Sequence, residues 1–145
     1  MQEALQLAYA AKNNNEVPIG AVVVLHDEII GGGYNSPIST HDPTAHAEIV
    51  ALRAAAKKIG NYRLCNATLV VTLEPCVMCF SAMINARIER LVFGAFDQKA
   101  GANSIFGLFD SQDFNHSVEC IGSVLQDQCA QILVDFFRAR RDEGR

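Results

Sequence analysis

The chain has 145 residues, half of them hydrophobic and 19% charged, with a formal net charge of −4. That length suits one domain over 1–145 with a core of its own, and the mild acidity speaks against a general nucleic-acid coat protein while leaving room for a local basic patch. No apolar run approaches the roughly 18 residues of a membrane span, and five cysteines behind no secretory leader read as reduced thiols in a cytoplasmic protein.

Leu5, Ala8 and Tyr9 share one stripe, predicting a helix over 2–14 that Asn13, Asn14 and Asn15 stop and Pro18 keeps from resuming. The β-branched run 19–25 reads as a covered strand. His26-Asp27-Glu28 reads as a turn, and 29–34 as the second strand of a hairpin, weakened by Gly31, Gly32 and Gly33. A loop from Asn35 to His41 leads to Asp42-Pro43, read as the N-cap and first position of a helix. Its apolar face is Ile49, Leu52, Ala56 and Ile59, and Gly60 is the expected C-cap. Residues 67–73 form another covered strand, and Glu74-Pro75 launches a helix to about Ala86. A strand over 88–93 follows. Residues 97–115 are mostly loop with one helical turn near Ile105, and 118–121 make a short edge strand. The last helix runs from Val124 to Arg141, with Leu125, Cys129, Ile132, Leu133 and Phe136 inward. This order predicts a three-layer α/β domain with helices on both faces of a mixed sheet.

Two clusters carry chemistry. His46-Ala47-Glu48 and Pro75-Cys76-Val77-Met78-Cys79 each sit at an expected helix start. Thiolates three apart on one helical turn converge on one side, as two legs of a tetrahedral zinc site require, and imidazole is a natural third. His26, His41, Cys65, His116, Cys120 and Cys129 show no ligand-type spacing to the pair, so the fourth position is expected to hold water. His46 and Glu48 lie about 200° apart around a helix and can address one point only from its first turn. Two helix N-termini aimed at an ion with two thiolates and hydroxide would stabilise that net negative charge. Zinc brings the pKa of its water from about 15.7 to about 7, and a carboxylate that is not a ligand, here Glu48, can take the proton and hand it on. Singly, each part has a plain alternative: a surface histidine, a redox pair, a first-turn acid favoured by the dipole. Together, His-x-Glu followed by Pro-Cys-x-x-Cys is the signature of zinc nucleobase deaminases.

The chain resembles the bacterial tRNA-specific adenosine deaminases, within the cytidine deaminase-like superfamily. The likeness rests on the words 16–22, 35–38, 41–48, 61–64, 72–79, 92–95 and 135–138. It implies a three-layer α/β/α cytidine deaminase-like fold with a central mixed five-stranded sheet. It also implies hydrolysis of adenosine to inosine at the wobble position of a tRNA, typically an arginine tRNA, by a homodimer acting on the anticodon stem-loop. Carried over by position, His46, Cys76 and Cys79 bind one zinc ion per subunit, and Glu48 moves the proton as C6 is attacked and ammonia leaves. Asn35 bonds the base, the Ala47 N–H meets the oxygen arriving at C6, and Val17 and Pro18 wall the pocket. Phe137 and Asp97 are expected to touch the nucleotide or RNA. For Asn35 a turn residue, and for Asp97 a solvated loop carboxylate, are the alternatives. Phe136 fits the inward stripe, so core packing explains it. Phe96 departs from the polar or small residue expected beside Asp97. The chain also opens almost directly on its first helix, as a trimmed N-terminus would.

Of the basic residues, Arg53, Lys57 and Lys58 read as an ordinary solvated face, while Arg138, Arg140 and Arg141 are expected to meet phosphate. Two other readings stay open: a free guanine or cytosine deaminase with loop 97–115 as its lid, and a non-catalytic zinc or RNA-binding module with four protein ligands.

Overall fold

The computed structural model describes residues 1–144. Five strands form one mixed sheet: β1 (Gly20–Leu25), β2 (Glu28–Tyr34), β3 (Thr68–Leu73), β4 (Arg90–Ala95) and β5 (Glu119–Ile121), in the order β2-β1-β3-β4-β5. β1 and β2 pair antiparallel through a two-residue turn in which His26 and Asp27 both take positive φ, matching the right-handed twist of the strands. β1 is also antiparallel to β3, whereas β3, β4 and β5 run parallel.

Among the described residues six α-helices flank the sheet: α1 (Gln2–Asn13), α2 (Pro37–Thr40), α3 (Ala47–Ile59), α4 (Val77–Asn85), α5 (Ala102–Phe106) and α6 (Gln126–Asp142). α3 and α4 bury Ala51, Leu52, Ala55, Phe80 and Met83 against Val23, Leu69, Val71 and Leu91 on one face. On the other face α1 packs Ala4 on Val22 and Val70, and α6 places Cys129 near Leu5 and Ala95. The three layers expected from the sequence are thus present.

Several local expectations change. The stripe of α1 is Ala4, Leu5, Ala8 and Ala11, leaving Tyr9 exposed. α3 likewise approaches through Ala47, Ala51 and Ala55 and leaves Ile59 outside. The cause is close approach: a Cβ on Gly31 would stand 2.6 Å from the Ala55 nitrogen, and one on Gly33 2.6 Å from Val50 Cβ. Small residues on both partners let helix and strand touch, so the bulky side chains are turned to the flanks. α3 begins at Ala47, not at Pro43, because 42–46 form a turn in which Asp42 accepts from the Thr44 N–H and hydroxyl and from Ala45. Residues 37–40, expected as loop, make the one-turn helix α2, while 97–115 carries the expected helical turn at Ile105 as α5 and adds a 3₁₀ turn at Leu108–Asp110.

The sheet directions decide where the loops go. β2, β3 and β4 all run one way, so Asn35, the segment 74–79 and Asp97 leave the sheet at the same end, beside Val17 and Pro18 before β1. Open α/β sheets bind ligands in the crevice beyond such carboxyl ends.

Candidate metal and catalytic site

His46 and Cys76 are the N-cap residues of α3 and α4, both in extended conformation, and neither side chain caps its own helix. Caps usually spend their side chains on the exposed N–H groups; here those side chains face each other. His46 Nδ1 lies 3.5 Å from both Cys76 Sγ and Cys79 Sγ. The three donor atoms all fall within 4.8 Å of one another and could hold a metal ion. No other histidine, cysteine or acid among the described residues joins this group. The N-terminal ends of two helices of 13 and 9 residues meet at the cluster, which favours the thiolate charge.

Electrostatics divide the sulfurs. The Cys79 thiol donates to Cys76, and this, with the His46 hydrogen bond, outweighs burial and holds Cys76 down at about 4. Cys79 is pushed up by the same bond and by burial. His46 is raised mainly by its bond to Cys76.

Glu48 follows on the first turn of α3, only 4% exposed. Burial, and then the negative Cys76 sulfur, lift its carboxyl to about 7. A solvated first-turn acid would be neither buried nor shifted, so that alternative fails. A carboxyl titrating near neutrality beside a donor cluster can both accept and return a proton.

Asn35 is buried, and its Oδ1 accepts the Ala47 N–H at 2.8 Å. It serves as the cap that His46 does not supply. Pro18 is buried and Val17 half-buried; the Val17 carbonyl accepts from Ile19, whose own carbonyl accepts from Asn35. Asp97 turns Oδ1 onto the Lys99 and Ala100 N–H groups, building its own turn. Phe137 is 44% exposed on α6 and packs edge-on against Phe136, which is buried as the stripe predicted. The hydrogen bonds of Asp97 run to Glu74, Lys99 and Ala100, and the ring contact of Phe137 is with Phe136.

The basic residues fall into two groups. Arg53 pairs with Asp42 and Lys58 with Glu28 on the exposed surface, as a solvated face would. Arg140 donates to the Asn15 carbonyl at 2.7 Å and lies 4.6 Å over the Phe136 ring. Arg138 pairs with Asp135 one turn back.

Two acids escaped sequence reasoning. Glu16, 1% exposed, accepts from the Ile38 and Ser39 N–H groups and pins α2 beside the pocket wall. Glu74, 2% exposed, accepts from residues 97, 103 and 104. The available signal was an acid set between an apolar stretch and a proline, as in Leu73-Glu74-Pro75.

Residues 1–141 match the MafB19-like deaminase family. The tRNA-specific adenosine deaminase of Haemophilus influenzae is 53% identical over 99% of this chain and 84% of its own length. A solved structure from work on A-to-I editing by tRNA:A34 deaminases at the wobble position of transfer RNA superposes with a TM-score of 0.89. It is 42% identical and covers 92% of this chain and 97% of the other. A guanine deaminase from Nitrosomonas europaea superposes at 0.78 with 25% identity, covering 93% of this chain and 81% of the other.

Proposed function

From this chain's membership of the MafB19-like deaminase family, on the tRNA-specific adenosine deaminase branch, we propose that it hydrolyses adenosine to inosine at the wobble position of a tRNA. The observation that carries the chemistry is the buried carboxyl of Glu48 beside three soft donors and outside their set; the choice of RNA follows the likeness to tRNA-specific adenosine deaminases. The ion is zinc. Tetrahedral zinc with sulfur at about 2.3 Å and nitrogen at about 2.05 Å separates those atoms by about 3.6 Å, and the two Sγ···Nδ1 distances are 3.5 Å. When bound, zinc supplies the Lewis acidity that makes a water nucleophilic at neutral pH.

The chain's own residues do the rest. Glu48 takes the water proton as the C6–O bond forms and delivers it to N1 of the purine; it then takes the proton of the new C6 hydroxyl and passes it to the amine, so that C6=O forms, the C6–N6 bond breaks and ammonia leaves. The Asn35 amide nitrogen donates to the base while Ala47 holds its oxygen. The oxygen arriving at C6 shares the Ala47 N–H with Asn35 Oδ1 in a three-centre bond. Val17 and Pro18 wall the base, and Asp97 and Phe137 touch the RNA further out. An unstacked anticodon base costs only a few kcal/mol to extrude.

Residues 1–145 form one catalytic domain, and the working unit is a homodimer. An apolar groove of about 320 Å³ between α3 and α4, lined by Ile49, Leu52, Tyr62 and Ala82, supports that assembly, as do the exposed Val77 and Met78 beside the ligands. Among the described residues no helix is long and apolar enough to cross a membrane, and a tRNA substrate fits a cytoplasmic enzyme.

The test offers the zinc-loaded protein anticodon stem-loop RNAs, then free adenosine, cytidine and guanine, and assays ammonia. Inosine at the wobble position, with RNA affinity falling steeply as salt rises, is the expected result. Turnover of free guanine that salt leaves unchanged would instead place the chain with the guanine deaminases it superposes on.

A further inference from the structure

We propose that Glu74 is a positioning residue that fixes the loop beginning at Asp97 in register with the metal ligand Cys76. Its kinetic consequence rests on the RNA deaminase reading of the site.

Glu74 follows the last residue of β3 and stands two residues before Cys76. A carboxyl so buried is costly unless its oxygens are satisfied, and here every donor comes from one segment. Oε1 accepts the Asp97 N–H at 3.1 Å and the Ser104 hydroxyl; Oε2 accepts the Asn103 N–H at 2.9 Å and the Ser104 N–H at 2.8 Å. No ion pair among the described residues includes it.

Backbone contacts run alongside. The Glu74 N–H donates to Ala95, the Pro75 carbonyl accepts from Ala102, and Cys76 bridges to Gly101. α5 has five residues, too few to hold a helix unaided, and Glu74 supplies the acceptors for its exposed N-terminal N–H groups. The stretch 97–104 therefore takes its place from the strand end that presents the ligand. It carries with it the exposed Ile105 and Phe106 and leaves the sheet at the same end as the donor cluster.

Gly101 shows the fit from the other side. A Cβ there would come within 2.5 Å of both the Glu74 carboxyl carbon and the Asp97 carbonyl oxygen. Its φ of −64° suits any residue, so Gly101→Ala displaces the carboxyl by bulk alone. Glu74→Gln keeps the shape but turns an NH₂ toward N–H donors.

Both variants are compared with wild type as zinc-loaded proteins, by elemental analysis, amide hydrogen exchange and steady-state kinetics on an anticodon stem-loop. The expected result is one zinc per chain, at least tenfold faster exchange at Asn103 and Ser104, and a KM raised at least tenfold with kcat within threefold. A KM within twofold of wild type overturns the proposal. So does loss of zinc, which would make Glu74 a support for Cys76 and not for the loop. Should both variants fail to fold, Ser104→Ala removes a single donor and is expected to raise KM two- to fivefold; an unchanged KM and exchange there overturn the idea. Wild-type protein inactive on RNA would count against the RNA deaminase reading, while the exchange rates still decide the role of Glu74.

Discussion

Asn35 Oδ1 accepts the Ala47 N–H at 2.8 Å, joining the end of β2 to the first residue of α3. A residue twelve positions upstream thus caps the helix, which leaves the side chain of the formal N-cap residue, His46, to face Cys76 and Cys79. Asn35→Ala leaves the Ala47 N–H buried and unpaired, at a cost of about 1–3 kcal/mol, and removes the donor to the base. Asn35→Asp keeps an acceptor for Ala47 but loses the amide donor. Thermal unfolding should therefore fall more for the alanine variant, while kcat/KM on RNA drops at least tenfold in both. An aspartate variant with wild-type kcat/KM would remove Asn35 from base recognition.

Glu48 separates turnover from metal binding. Glu48→Gln should keep zinc and RNA affinity yet lose turnover by several orders of magnitude, whereas Cys76→Ala should lose the zinc as well, read by elemental analysis. In the metal-free chain the raised carboxyl also sets a pH dependence. Below about 4.5 it is neutral whether folded or unfolded; between there and about 7 only the unfolded chain ionises, so folding stability falls as pH rises. Glu48→Gln abolishes that loss. Denaturant midpoints should show the metal-free variant more stable than wild type at pH 8, by up to about 3 kcal/mol, with the gap closing by pH 4.5. A gap independent of pH would contradict the raised value.

Gly31 has no room for a side chain: a Cβ would meet the Ala55 nitrogen at 2.6 Å and the Ala51 oxygen at 2.7 Å, both backbone atoms of α3. Gly31→Ala must push that helix, and His46 and Glu48 with it, away from the sheet. A loss of about 1–3 kcal/mol in denaturant unfolding is expected. Wild-type stability would mean that helix and strand part more easily than this packing implies.

Arg140 is held within the fold by the Asn15 carbonyl and the Phe136 ring. Arg140→Ala should lower stability by about 1 kcal/mol while leaving the slope of log affinity for RNA against log salt unchanged, since each phosphate contact contributes to that slope. A slope reduced by about one would return Arg140 to the RNA surface.

The sequence by itself determined the main order of helices and strands and pointed to the donor cluster that could hold a metal, because hydrophobic period, turn residues and donor spacing act over a few neighbouring positions. His46, Cys76, Cys79 and Glu48 are legible for that reason, and the turn at His26-Asp27 likewise. Only the tertiary structure decided how the donors meet and which residues hold them there. Asp42-Pro43 looks like a helix start, yet α3 begins at Ala47 because Asp42 closes a turn and Asn35 arrives from β2 to cap the helix. Tyr9 and Ile59 look inward by period, yet glycine and alanine at the helix–strand contacts set the depth of approach and turn them out. Glu16 and Glu74 look like solvent-facing acids, yet they are buried because their partners lie more than 20 residues away. A buried charge is settled by donors that only the folded chain brings to it, and no local pattern encodes their arrival.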